Sequence, residues 1–415
     1  MLVYILNKQG KPLMPCTPQK ARILLKKGKA KVVKTLPFTI KLIHGSSGYK
    51  QPLTLGVDTG SRMVGSAVIN SSGDVLYASE IEIRNDIAKK MTSRSKSRRN
   101  RRNRKTRYRK PRWLNRANSI KKGRFSPTMN SKINSHLKEI KFVNSILPIT
   151  EMILETGTFD PHALKNPEVL KNKRLYQKGI NYRFANTKAY VLNRDKYICY
   201  NCKGKSKDKK LEVHHIIFRK NGGSDEQDNL ITLCKVCHDE LHKGNVALKK
   251  KGKCKGQLKH ATQMNSIRMQ LLKLFPNAKE TFGFITKEHR QSMSLPKEHY
   301  TDAVVIASQG HDVNFKIQSI LLKKCVSDGD YQQTKGVRSE QRIPTEKIQG
   351  FRKFDKVEYL GRKYFIKGRM STGYAILMDI KGIKATLKPI PKFNIMKRVN
   401  ARKSWIIHQK TIVNF

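Results

Sequence analysis

The chain has 415 residues, with 87 Lys or Arg against 30 Asp or Glu, and a formal net charge of +57 at pH 7. A free globular chain with that surplus repels itself strongly, so the working form has a polyanion bound to it. At 38% hydrophobic and 7% aromatic the sequence has material for real cores. That excludes a merely disordered basic tail, and the length allows about two to four domains.

Val3–Leu6 reads as a strand, Asn7–Gly10 as a turn and Ala21–Lys27 as a short helix stopped by Gly28. Lys31–Val33 and Thr39–Ile43 read as further strands, and Gly45–Gly48 as a linker. Leu53–Val57, Met63–Ile69 and Val75–Ile83, joined by tight turns, predict an antiparallel meander.

Residues 94–116 differ in kind: 13 of these 23 positions are Lys or Arg, and none is acidic. Pro111 comes late, so Ser93–Lys110 can be helical once its charge is neutralised. A disordered basic tail is the bland alternative. The position between strand-forming segments favours an arginine-rich helix against nucleic-acid backbone, with Tyr108 and Trp113 as stacking groups. Its contacting residues are taken as Arg94, Arg98, Arg99, Arg101, Arg102, Arg104, Lys105, Arg107, Arg109, Arg112 and Trp113.

Further on, Ile133–Ile146 has helical periodicity and Ile149–Leu154 reads as a strand. Helices are expected over 257–275 and from about His299, the latter with the core Ala303–Ala307. Beyond 345, Lys356–Leu360, Lys363–Ile366 and Tyr374–Ile380 read as strands of a small barrel. The N-terminal apolar run of five is too short for a signal-peptide core, and no stretch nears the ~20 apolar residues of a membrane span. Seven cysteines, four of them in two Cys-x-x-Cys pairs, fit metal ligation better than a disulfide framework. Cys16, Cys254 and Cys325 read as packing or unligated thiols, and 331–342 as a basic polar loop.

The pairs Cys199/Cys202 and Cys234/Cys237 are separated by 31 residues, the spacing of two knuckles that close a tetrahedral zinc site. With no open coordination position, that zinc is structural. Between and after the knuckles come His214-His215, Gly222-Gly223, Asn229-Leu230, His238 and His242. On a strand the adjacent histidines face opposite ways, and His238 and His242 share one helical face. Metal-assisted phosphodiester cleavage needs such a set: imidazoles for a cation and a free imidazole as base.

This constellation, over about residues 195–245, resembles the HNH (ββα-metal) nuclease family. The resemblance implies that His215 is the general base and that His214, His238 and His242 hold one Mg²⁺. At His242 some members carry another residue or water. It also implies that Asn229 orients the base through a hydrogen bond.

Asp58 ends a strand, Glu155 ends an apolar strand, and Asp302 opens a helix. Carboxylates at hydrophobic strand ends are costly without a cation beside them, and a set of them can bind two Mg²⁺ for in-line phosphoryl chemistry. Capping or surface acids are the bland alternative. The order of the parts resembles a RuvC-type nuclease on an RNase H-like fold, which implies Asp58, Glu155, His299 and Asp302 as its catalytic set.

With Pro12-Leu-Met-Pro-Cys16, which matches the motif of the PLMP domain, the chain resembles the IscB family of transposon-encoded RNA-guided nucleases along nearly its whole length. The implied architecture is α+β multidomain, with an RNase H-like (RuvC) core split in three. The implied boundaries are 1–50 for the PLMP domain, 51–84, 126–188 and 249–325 for the RuvC-like parts, 85–125 for the bridge helix, 189–248 for the HNH domain and 326–415 for a C-terminal β-barrel-like domain that reads a target motif or RNA. The implied activity is RNA-guided, Mg²⁺-dependent double-strand DNA cleavage, the HNH site cutting the guide-paired strand and the RuvC-like site the displaced one. Partners would be a structured guide RNA and duplex DNA, in a monomeric cytoplasmic ribonucleoprotein near the nucleoid, away from membranes. A guide-free endonuclease and a non-catalytic RNA-binding scaffold are the competing readings.

Overall fold

The computed structural model describes residues 2–45, 48–103, 123–206, 208–248, 258–327, 347–370 and 372–412. The chain forms two compact units, one of Met1–Gly157 with Met264–Phe415 and one of Thr158–Gln263. No helix among the described residues is long and apolar enough to cross a membrane.

The first unit opens with β1 (Val3–Leu6), β2 (Pro12–Cys16), α1 (Pro18–Lys26), β3 (Ala30–Thr35) and β4 (Phe38–Leu42). The strands form one sheet in the order β2-β1-β4-β3, around Val3, Ile5, Leu13, Ala21 and Ile40. The Pro12–Cys16 motif lies in β2, an edge strand, where a proline's missing N–H costs no ladder bond. Thr17 caps α1 by accepting from Lys20 N, and Pro18 follows at the first helical position.

Next come β5 (Leu53–Asp58), β6 (Met63–Asn70) and β7 (Asp74–Glu82), the antiparallel meander expected from sequence. The turn before β7 is held by Asn70 Oδ1, which accepts from Ser72 N and Asp74 N, with Gly73 at φ +77°. Helices α2 (Ile87–Asn103) and α3 (Pro127–Asn144) precede β8 (Glu151–Thr156).

The second unit holds α4 (Pro161–Lys165), α5 (Glu168–Lys171), α6 (Thr187–Arg194), β9 (Leu211–His215), β10 (Leu230–Cys234) and α7 (Lys235–Lys243). β9 and β10 pair antiparallel, and α7 follows β10 directly, a ββα unit. Asp195 ties α6 to this hairpin by accepting from Thr232 N and Oγ1 at 3.0 and 2.8 Å.

The chain continues with α8 (Lys259–Leu274), β11 (Lys279–Phe282), α9 (Gly283–Ser292), α10 (His299–Ser308), β12 (Asn314–Phe315) and β13 (Ser319–Cys325). It ends with β14 (Lys356–Tyr359), β15 (Arg362–Arg369), β16 (Ala375–Met378), β17 (Lys397–Asn400) and β18 (Trp405–Thr411). The large mixed sheet runs β11-β8-β5-β6-β7-β13-β18, with β12 beside β7. β11, β8 and β5 are parallel neighbours although more than 120 residues separate β8 from β11 in sequence.

The two faces of this sheet are covered differently. On one, α3 buries Ile133, Ile140 and Val143 among the residues of β5 to β7. Within that interface Glu139 is fully enclosed, paired with Lys323 Nζ at 2.6 Å and accepting from Tyr77 Oη, Ser66 Oγ and Ser79 Oγ at 2.7, 2.8 and 2.8 Å. The Lys323 ammonium lies over the rings of Phe142 and Trp405 at 4.0 and 4.7 Å. On the other face α10 lies directly on β5 and β6. A Cβ at Gly56 would stand 2.3 Å from the Ala303 carbonyl oxygen, and one at Gly65 1.9 Å from that of His299. Only glycine allows this approach.

The C-terminal strands correct one expectation. Among the described residues β16-β15-β14-β17 form an open four-stranded sheet, not a closed barrel. β18 is drawn away because it pairs with β13 over seven residues and buries Trp405 and Ile406 there. Cys254 and the 331–342 loop lie outside the described residues.

Candidate active sites

The first unit brings together the acids expected to converge. β5 and β8 run parallel with Asp58 directly opposite Glu155. The Thr59 hydroxyl donates to the Glu155 backbone carbonyl at 2.5 Å, tying the two strand ends together. α10 starts at His299 because Glu298 and Thr301 form a capping box, which sets Asp302 in the first turn. His299 Nδ1 lies 2.6 Å from Asp58 Oδ2.

Burial, with the Asp58 charge second, pushes Glu155 up to about 7. The same two causes raise Asp302. The hydrogen bond to Asp58 raises His299. Carboxylates that hold one another's protons on are a site that gains from a cation. One guanidinium already serves in part: Arg290 Nε stands 2.9 Å from Asp302 Oδ1, with only 12% of its side chain exposed. Sequence reasoning missed Arg290, since nothing in the spacing of α9 links it to α10.

The second unit holds the two clusters read from the cysteines and histidines. The ligand atoms of Cys199, Cys202, Cys234 and Cys237 lie within 4.8 Å of one another. Cys234 also caps α7, its Sγ accepting from Cys237 N at 3.5 Å. The Ser206 hydroxyl donates to Cys234 Sγ at 3.1 Å, and its bond to Cys202 brings that thiol down to about 6. Four sulfurs at this spacing, with three of the residues buried, fit zinc, and the thiolates would complete its coordination sphere.

His214, His238 and His242 form the other cluster, again within 4.8 Å. His214 reaches it from β9, while the other two project from consecutive turns of α7. The His214 ring meets those of His238 and His242 edge-on at 5.0 and 5.1 Å. Burial, then the charges of His238 and His242, pulls His214 down to about 4, so it is a neutral imidazole. His214 Nε2 is buried without a hydrogen-bond partner, which is costly unless a cation takes its lone pair, while His238 Nδ1 lies 3.3 Å from Glu212 Oε2. The trio fits a divalent metal.

His215 points the other way, as alternation along a strand requires, and its Nε2 lies 2.7 Å from Asp225 Oδ1. Arg219 Nε lies 2.7 Å from that same oxygen and, more than His215, holds Asp225 below the usual carboxylate range. The expected bond from Asn229 to the base is corrected. Asn229 is fully buried, and its side chain binds the connecting loop instead. Oδ1 accepts from Ile217 N at 2.9 Å, and Nδ2 donates to the carbonyls of Ile217 and Ser224 at 3.0 and 2.8 Å. Its influence on His215 runs through the backbone, where the Asn229 carbonyl accepts from Ile216 N at 2.8 Å.

Of the basic segment, α2 carries Arg94, Arg98 and Arg99 as exposed side chains. Arg101 and Arg102 continue that helix, while Arg104, Lys105, Arg107, Arg109, Arg112 and Trp113 lie outside the described residues.

Residues 3–179 match the RRXRR protein family, and residues 199–244 match the HNH endonuclease family. Over 101 residues the chain is 35% identical to the type IV methyl-directed restriction enzyme EcoKMcrA of Escherichia coli (strain K12), covering 23% of this chain and 34% of that enzyme. Over 67 residues it is 33% identical to anaredoxin of Nostoc sp., covering 16% of this chain and 86% of that protein. Crystal structures of Streptococcus thermophilus Cas9 with the AGAA PAM and with the AGGA PAM are similar at TM-score 0.33, with 9% and 11% identity. Each likeness covers 58% of this chain and 32% of the Cas9 chain. The chain thus spans about a third of the restriction enzyme and of these Cas9 chains. An RRXRR segment thus stands ahead of an HNH endonuclease segment that holds the histidine cluster, an arrangement similar to that of an IscB-like HNH nuclease.

Proposed function

We propose that this protein is an RNA-guided double-strand DNA endonuclease, in which the histidine site cuts the guide-paired strand and the acidic site the displaced strand. The observation that carries the reading is the presence of two chemically different hydrolytic constellations in two separate units of one strongly basic chain. A single-strand nuclease needs one site, and a scaffold needs none. The large sheet with Asp58, Glu155, His299 and Asp302 then serves as the RuvC-like core, split in sequence by the basic segment and by the HNH unit.

At the histidine site His214, His238 and His242 would hold one divalent cation. Such a cation supplies charge stabilisation to the phosphate and the departing oxygen. His215 takes a proton from water as its oxygen attacks phosphorus, the bond to the leaving oxygen breaks, and that oxygen is protonated from solvent. At the acidic site Asp58, Glu155 and Asp302 would hold two Mg²⁺. His299, anchored to Asp58 through Nδ1, keeps Nε2 to accept or deliver the proton. The +57 charge fits a chain that holds RNA as well as DNA, with base pairing reading sequence and the protein holding backbone.

The test is to purify the protein from its native locus, sequence the bound RNA, and assay a duplex matching the RNA's guide segment, labelled on each strand. Metal-dependent cutting of both strands that disappears on RNase treatment is expected. Cutting that survives RNase treatment would favour the guide-free enzyme, and RNA binding without cutting the scaffold.

A further inference from the structure

The β9–β10 connection is built more rigidly than a surface loop requires. Asn229, with no exposed surface, spans it with three side-chain hydrogen bonds to Ile217 and Ser224. Gly223 is pressed so close that a Cβ would stand 1.7 Å from the Ile217 carbonyl oxygen and 2.9 Å from Asn229 Nδ2. Gly222 turns the chain at φ +90°. The residue that follows Ser224 is Asp225, delivered to 2.7 Å from His215 Nε2.

We propose that Asp225 is the positioning residue of the histidine site, fixing the ring and tautomer of His215. It rests on the reading of His215 as general base. Arg219 and His215 together keep the Asp225 carboxyl ionised, so it can only accept. The hydrogen on the neutral imidazole is therefore on Nε2, which leaves the Nδ1 lone pair to take the proton from water. Arg219 Nε, 2.7 Å from the same Oδ1, gives the carboxylate a second partner. The bond is exposed, with 66% of the Asp225 side chain accessible, so it contributes little to folding. Its effect is on orientation: a base whose ring can flip offers the wrong nitrogen for part of the time. A carboxylate behind a histidine is a recurrent way to set which nitrogen is basic.

The test uses the full chain with its co-purified RNA and a duplex labelled on each strand. Asp225→Asn keeps the size but can offer its amide N–H to Nε2, which favours the opposite tautomer. It should slow the single-turnover guide-paired cut by about 10–100-fold. The other strand's rate, the Kd for target and the bound zinc should stay as in the wild type, and Asp225→Glu should restore most of the loss. An unchanged rate in Asp225→Asn overturns the proposal. So does a loss accompanied by zinc release, or one that Asp225→Glu fails to restore, because either marks a structural role. His215→Ala, run in parallel, separates the two readings. If it cuts at the wild-type rate, the base assignment itself fails. If it is inactive while Asp225→Asn is normal, only the role of Asp225 fails.

Discussion

Asp58 and His299 lie 241 positions apart in the chain, yet Asp58 Oδ2 and His299 Nδ1 are 2.6 Å apart. The contact joins the end of β5 to the first residue of α10, whose first turn also carries Asp302, near enough for the Asp58 charge to raise its carboxyl. Two sites in separate units should fail separately. Asp58→Ala should leave only the guide-paired strand cut, and His215→Ala only the displaced one, as read on strand-labelled duplex. Loss of both cuts from either single change would sink the two-site assignment.

Glu155 gives the displaced-strand cut a pH signature. Its carboxyl is pushed up to about 7 by burial and then by Asp58, and only the ionised form ligates a cation. The protonated fraction falls as pH rises through about 7, so the Mg²⁺ concentration for half-maximal displaced-strand cutting should fall over that range. Glu155→Gln should abolish this cut at every pH. Titrating Mg²⁺ at pH 6, 7 and 8 with the guide-paired cut as internal reference checks both.

The enclosed pair of Glu139 and Lys323 should matter to folding rather than cutting. Burial pushes Glu139 up, but Lys323, Tyr77 and Ser79 outweigh it and hold the carboxyl below its usual range. A depressed folded value means the stabilisation is complete above the ordinary carboxylate range and is lost as pH falls through the folded value. Lys323→Met alone, which strands the carboxylate, should cost about 3–5 kcal/mol. Adding Glu139→Leu should recover part of that loss. Denaturant melts of the three proteins give the comparison.

Zinc should be inseparable from the second unit. One equivalent per chain is expected by elemental analysis, and Cys199→Ser, or a strong chelator that is removed before Mg²⁺ is restored for the assay, should release it. Because Cys234 both belongs to the cluster and caps α7, losing the ion should free the helix that carries His238 and His242. Guide-paired cutting should then vanish while displaced-strand cutting continues. A chelated protein that still cuts both strands would refute the structural role.

What was legible in the sequence follows from how local each signal is. The meander of β5, β6 and β7 showed because apolar stretches and turn residues alternate within about ten residues. The Cys-x-x-Cys pairs and the i, i+4 histidines carry their geometry in their spacing. Asp58, Glu155 and Asp302 were legible as residue types in costly places, but their pairing depends on parallel strands joined by long connections. The role of Asn229 was misassigned because an asparagine has donors and an acceptor for whatever lies nearest, and here that is loop backbone. Asp225 and Arg219 gave no signal, since exposed charges are everywhere in this chain. The last strand was missed as part of the main sheet because its partner, β13, precedes it by some eighty residues.

At Gly56 and Gly65 α10 rests on the sheet against main-chain atoms. At these two points the separation of the acids is gauged by the backbone rather than by the side chains packed around it. A chain organised in this way can accept long insertions between β8 and β11, and drift widely in its core, without recalibrating the distance at which it works. The two glycines are then the positions where drift must stop: a single methyl group at either would act as a shim, lifting His299 and Asp302 together off Asp58.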